Sequence, residues 1–133
     1  MDKIAEMLTK IRNAQMAGHA EVKVGHSKLK LALARILERE GFVEAVHPDK
    51  GADARMIRIV LKYHRESSTQ KTPAISGLKK VSRLGQRIYI KNKDIKNVKN
   101  RYGIAIISTP KGIMTGEESK KLGLGGEYIC EVW

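Results

Sequence analysis

The chain has 133 residues, 41% of them apolar, with 26 Lys plus Arg against 14 Asp plus Glu for a formal net charge of +12. That apolar share excludes compositional disorder and suffices for one domain or two small ones, burying roughly two-thirds of the unfolded surface. A lone cysteine, Cys130, excludes a disulfide framework and a paired-cysteine metal site within the chain, and no apolar run approaches the ~20 residues of a membrane span.

In chain order, Ile4, Met7, Leu8, Ile11, Ala14 and Gln15 recur at three- and four-residue spacing and predict an amphipathic helix from about Asp2 to Met16. Its opposite face offers Lys3, Thr9, Lys10, Arg12 and Asn13, and Gly18 ends it. The opening Met1–Glu6 lacks the basic-then-apolar order of a signal peptide, so a reducing cytosolic setting is expected. Ala20 to Val24 alternates as a strand. Ser27 is an N-cap candidate for a second helix, with Leu29, Ala32, Leu33, Ile36 and Leu37 as its buried stripe and Gly41 at its end. Phe42–His47 and Arg55–Tyr63 are expected to pair as a hairpin across the turn residues Pro48-Asp49-Lys50-Gly51.

The polar, aperiodic run His64–Pro73 is the best linker candidate. Beyond it, Ala74–Val81 predicts a strand interrupted by Gly77, Ser82–Gly85 a turn, Gln86–Lys91 a strand, Lys93–Val98 one helical turn and Ile104–Ser108 a strand. Thr109–Gly112 is a tight loop, and Thr115-Gly116-Glu117-Glu118 matches a capping box that opens a short helix to Lys121. A final strand is expected over Glu127–Val132. The expected class is α+β with two small α/β domains: an N-terminal α-β-α-β-β domain over 1–65, a linker at 66–73, and a mostly β domain with a short helix over 74–133.

The positive charge is uneven. Between Lys71 and Arg101 stand ten basic residues opposed only by Asp94, and Lys23, Lys28, Lys30 and Arg35 form a smaller acid-free stretch. Self-repulsion on this scale destabilises a fold unless a polyanion neutralises it, and phosphate contacts made this way weaken steeply with salt. A catalytic reading finds little. The four histidines, His19, His26, His47 and His64, lack metal-ligand spacing among themselves or to Cys130, which reads as a small core residue of the last strand. Gly123, Gly125 and Gly126 precede a strand, whereas phosphate-binding glycine loops open a helix. A hydrolase at the 108–112 loop would need a general base, for which only Glu127 is placed. The first helix balances Lys3, Lys10 and Arg12 against Asp2 and Glu6, poor chemistry for an anionic membrane. No cofactor and no metal is implied.

The constellation that stands out is Ser108-Thr109-Pro110-Lys111-Gly112, small, hydroxyl-rich and carrying one cation. Such hydroxyls suit phosphates, 2′-hydroxyls and base edges in a shallow RNA minor groove, with Pro110 stiffening the loop and Gly112 permitting close approach. Tyr89, between Arg87 and Lys91, either stacks on a base or ribose or is a core residue with a wet hydroxyl. Aromatics make up only 5% of the chain, which disfavours a multi-base stacking platform and favours backbone and groove contact with a structured RNA.

Gly103–Thr115 together with Leu122–Cys130 resembles the C-terminal signature of the bacterial small-subunit ribosomal protein eight family. Ile4–Asn13, Ser27–Lys30, Glu40–Phe42 and Arg83–Tyr89 are similar to the same family, so the match runs nearly end to end. The resemblance implies a cytoplasmic structural protein of the small ribosomal subunit, with two small α/β domains and no enzymatic activity. It would bind the central domain of small-subunit rRNA early and help organise the platform, and it would neighbour small-subunit proteins five and twelve. Many members also repress translation by binding an rRNA-like site on their own messenger. The principal contact would be Ser108, Thr109, Lys111 and Gly112, with Gly125, Gly126 and Glu127 beside them and Tyr89 on the same face. Thr9, Arg12 and Asn13 with Ser27, Lys28 and Lys30 would make a second contact. The family commonly has Ser at the third loop position, where this chain has Pro110.

Overall fold

The computed structural model describes residues 2–49, 55–96, 98 and 102–133, and the chain divides into two compact units, Lys3–Ile75 and Ser76–Trp133 with Asp2. The fold is mixed α+β, as the patterning predicts.

In the first unit, helix α1 (Lys3–Met16) buries Ile4, Met7, Leu8, Ile11 and Ala14, the stripe given by its spacing. Helix α2 (Lys28–Arg39) starts at Ser27, whose hydroxyl accepts from the Lys30 amide at 3.1 Å. Its buried residues are Leu33, Ala34, Ile36 and Leu37. Leu29 departs from the expected stripe at 41% exposure and Ala32 is only half-buried, because α2 is tied to β2 further along, where Arg35 and Glu38 hydrogen-bond the Val46 backbone. The helices pack on a three-stranded antiparallel sheet in the order β1-β3-β2, formed by Glu21–Gly25 (β1), Val43–Pro48 (β2) and Met56–Leu61 (β3). Central β3 buries Ile57, Ile59 and Leu61 in alternation. The β2–β3 hairpin is as expected, while part of its connecting turn, from Lys50, lies outside the described residues.

The expected linker proves to be folded. Tyr63–Arg65 (β4) and Lys71–Pro73 (β5) pair as an antiparallel ribbon, and the Ser67 hydroxyl closes its tip by accepting from the Thr69 and Gln70 amides. Its strands are too short to show a period and bury no apolar face, so sequence patterning has nothing to register. The unit boundary accordingly falls after Ile75.

The second unit is an antiparallel sheet in the order β6-β10-β8-β9, with β7 also on β10. Its strands are Leu78–Lys80 (β6), Tyr89–Ile90 (β7), Ile104–Thr109 (β8), Gly112–Thr115 (β9) and Gly126–Val132 (β10). Only Leu78–Lys80 of the expected Ala74–Val81 strand and Tyr89–Ile90 of the expected Gln86–Lys91 strand join the sheet. The chain before β6 instead bonds to the C-terminus, Ser76 and Gly77 donating to the Trp133 carbonyl. A 3-10 turn at Asn92–Asp94 stands near the expected helical turn, whose Asn97 lies outside the described residues. Helix α3 (Gly116–Lys121) opens with the expected capping box: Thr115 Oγ1 accepts from the Glu118 amide and Glu118 Oε1 accepts from the Thr115 amide, both at 3.2 Å. Val98, Ala105 and Ile107 form a core cluster with Ile90, Tyr128 and Trp133 against it.

Cys130 is fully buried in β10, and burial pushes its thiol from an ordinary 9.0 up to about 12. The folded state therefore keeps a proton that the unfolded chain releases near pH 9. Stability is undiminished at neutral pH and falls as pH climbs from about 9 toward 12, by up to about 1.4 kcal/mol per pH unit. Cys130→Ala should be less stable than wild type at pH 7.5 but lose less between pH 7.5 and 10, measured as urea midpoints. Parallel losses in both proteins would show that the thiol does not contribute.

Candidate nucleic-acid interface

Strands β8 and β9 are joined by the two residues Pro110 and Lys111 between the paired Thr109 and Gly112. The ring of Pro110 restricts the backbone at that position, and Gly112 takes φ of 117°, a conformation that side-chain-bearing L-residues rarely adopt. Thr109 is 8% exposed; its Oγ1 donates to the Gly112 carbonyl at 2.7 Å and accepts from the Lys111 amide at 3.2 Å. The Thr109 hydroxyl thus shapes the turn from inside. Pro110, Lys111 and Gly112 are exposed, and Ser108 is half-buried.

Strand pairing sets what lies beside the turn. Glu127 of β10 is opposite Ser108 on one side and Tyr89 on the other, so Tyr89, Glu127 and Ser108 share one face across three strands. Tyr89 is 72% exposed, which resolves its two sequence readings against a core role. The Glu127 carboxylate receives Arg87 at 3.1 Å, a role that leaves it as an anchor for the strip. The backbone approaches closely here: a Cβ on Gly126 would lie 2.0 Å from the Ser108 carbonyl oxygen, and one on Gly125 would lie 2.5 Å from that of Ile90. Both glycines are required by packing alone.

Two positioning residues escaped the sequence reading. Ser82, expected in a turn, is fully buried; its Oγ accepts from the Ile88 amide at 2.9 Å and donates to the Ile88 carbonyl at 3.2 Å. With the Arg83–Gln86 bridge, this clamps the segment carrying Arg87 and Tyr89 beside β10. Asn92 Nδ2 donates to the Ser119 and Leu124 carbonyls at 3.1 and 3.2 Å, and Ser119 Oγ also donates to Leu124 O, fixing the run into Gly125. No spacing rule marks either residue; only the partners brought by the fold do. In the same unit Lys79, Arg83, Lys91, Lys93, Lys96, Lys111, Lys120 and Lys121 are exposed, while Lys99 and Arg101 of the basic run lie outside the described residues.

The remaining candidates belong to the first unit. Thr9, Arg12 and Asn13 fall at i, i+3 and i+4 on the exposed side of α1. At the start of α2 Lys28 is exposed, Lys30 half-buried and the Ser27 oxygen engaged as the cap, its O–H still able to donate. The four histidines are exposed, and among the described residues no three His, Cys, Asp or Glu side chains gather as metal ligands.

A family model described as ribosomal protein S8 matches residues 2–133. The chain is 49% identical to small ribosomal subunit protein uS8 of Caldanaerobacter subterraneus and 48% identical to that of Roseiflexus castenholzii, each over 99% of this chain and 97% of the relative. It is 45% identical to uS8 of Nitratidesulfovibrio vulgaris over 99% of this chain and 98% of the relative.

Gly126→Ala must force β10 away from β8 and should cost about 2 kcal/mol or more by overpacking, read from urea midpoints. Ser82→Ala leaves the Ile88 amide without its hydroxyl partner, so hydrogen exchange at Ile88 should speed up at least tenfold, with little change in α1 and α2. Unchanged exchange at Ile88 would show that the hydroxyl does not hold this segment.

Proposed function

The chain belongs to the ribosomal protein S8 family, and from that premise we propose that it recognises the central domain of small-subunit rRNA chiefly through the Tyr89–Glu127–Ser108 strip and the 108–112 turn. As a family member it is a structural, non-enzymatic protein of the small ribosomal subunit, working in the cytoplasm with small-subunit rRNA and ribosomal neighbours. Beyond that, the support is a face on which Glu127 pairs Arg87 beside the neutral side chains of Tyr89 and Ser108, in a unit with many exposed lysines.

The carrying observation is that exposed Tyr89 and half-buried Ser108 flank a neutralised Arg87–Glu127 pair on one sheet face. A hydroxyl there can donate to and accept from ribose 2′-OH groups and base edges of a wide, shallow minor groove. The Tyr89 ring offers a surface on which a ribose or an unstacked base can lie. Lys111 at the turn and Lys91 after β7 supply phosphate contacts that set register without reading sequence. Thr109 acts through the turn it shapes, and Gly125 and Gly126 act through the close approach of β10. Pro110 replaces a hydroxyl in the common family pattern, so hydroxyl recognition falls on Ser108 in this chain. Thr9, Arg12, Asn13, Ser27, Lys28 and Lys30 provide a second contact on the first unit, and together the contacts help organise the platform.

The test is binding of the purified protein to a central-domain rRNA fragment and to random RNA across a salt series. Ser108→Ala should weaken the cognate complex about fivefold and Tyr89→Ala tenfold or more, with random RNA unaffected. Lys111→Gln should weaken both RNAs alike and lower the salt slope by about 1. Equal losses on both RNAs from the Ser108 and Tyr89 variants would remove the strip from recognition.

A further inference from the structure

The β4–β5 ribbon has no part in the strip just described, and it has three properties that together define a surface. First, it is held rigidly at its base. A two-stranded ribbon alone in water is marginal. Here the Tyr63 hydroxyl donates to the His19 carbonyl at 2.6 Å, and Lys71 Nζ lies 4.3 Å over the Tyr63 ring and 3.4 Å from the Gly18 carbonyl. The Ala74 amide donates to the Lys62 carbonyl at 2.9 Å, and Gln15 Nε2 reaches the Ile75 carbonyl at 3.1 Å. Second, every residue from His64 to Thr72 is exposed and polar, which removes an apolar protein groove or a membrane as the occupant. Third, Lys62, Arg65 and Lys71 stand against the single acid Glu66, and among the described residues none of the three is in an ion pair.

We infer that this ribbon is a further RNA contact, laid against the ribose-phosphate backbone of small-subunit rRNA. The inference rests on the reading that the chain binds that RNA. Cations on a stalk that ends in a turn of hydroxyl and amide side chains, Ser67, Ser68, Thr69 and Gln70, repeat the chemistry of the 108–112 turn. Charge here complements a polyanion, and the neutral tip can bridge phosphate oxygens and 2′-hydroxyls. Anchoring through Tyr63 lowers the ordering cost of binding, since the tip is presented already formed. The contact lacks groups aimed at base edges, so it adds affinity and orientation across sequences.

Full-length wild type and a Lys62→Gln/Arg65→Gln variant should be titrated with small-subunit rRNA across a salt series. The variant should lower the salt slope by about 2 and raise Kd five- to twentyfold at 150 mM salt. As a second readout independent of those substitutions, Ser68→Cys carries a photocrosslinker; the buried Cys130 stays unlabelled. In assembled small subunits the crosslink should join the tip to rRNA nucleotides. If wild type binds the rRNA but the variant keeps its slope and the tip crosslinks to a ribosomal protein or to nothing, the ribbon is not an RNA contact and the recognition strip stands. If wild type itself fails to bind, the strip reading falls and this inference falls with it.

Discussion

The second unit depends on one close approach. Strand β10 enters the sheet with Gly125 and Gly126, where carbonyl oxygens of Ile90 and Ser108 occupy the space that Cβ atoms would take. Only with both side chains absent can β10 pair with β7 on one side and β8 on the other. That pairing places Glu127 between Tyr89 and Ser108 and lets it hold Arg87. The glycines thus assemble the surface through their lack of side chains. Ser82 and Asn92 clamp the backbone further, so binding need not bear the cost of ordering the segments that carry the exposed side chains.

Net charge and neutral hydrogen-bonding surface are carried by different residues. The exposed lysines of the second unit attract any polyanion and are screened by salt. The strip beside them is close to neutral, because Glu127 offsets Arg87 and the other members are Tyr89 and Ser108. Hydrogen-bonding and stacking surfaces lose little to salt and are sensitive to shape. The combination suits a protein that must find one folded RNA among many anionic competitors. The same division recurs on the β4–β5 ribbon, where cations flank a tip of neutral hydroxyls.

Much of the fold was legible from local pattern. The stripe of α1, the Ser27 cap, the alternation of β3 and the Thr115–Glu118 capping box are each written in residues at most a few positions apart, and each is present. Misreadings came where pattern had no partner information. The run 64–73 looked like a linker because a ribbon exposed on both sides has no apolar alternation to display. Leu29 fits the α2 stripe by spacing but is left 41% exposed. Strand β9 has no counterpart among the expected elements, since its four residues span the end of the expected loop and the start of the capping box and are too few to show alternation.

The candidate site divides in the same way. Composition located the basic segment, and the motif around residues 103–115 and 122–130 located the loop and the family, because both are properties of consecutive residues. The sequence could not say that Ser108 faces outward with Tyr89 while adjacent Thr109 turns inward to hold Gly112 and Lys111. Nor could it separate a turn serine from the buried clamp that Ser82 is. Periodicity fixes which residues share a strand face, but which face meets the core depends on strands from distant parts of the chain. Only tertiary pairing brings those strands together, and it alone decides which hydroxyls hold the protein and which are left exposed.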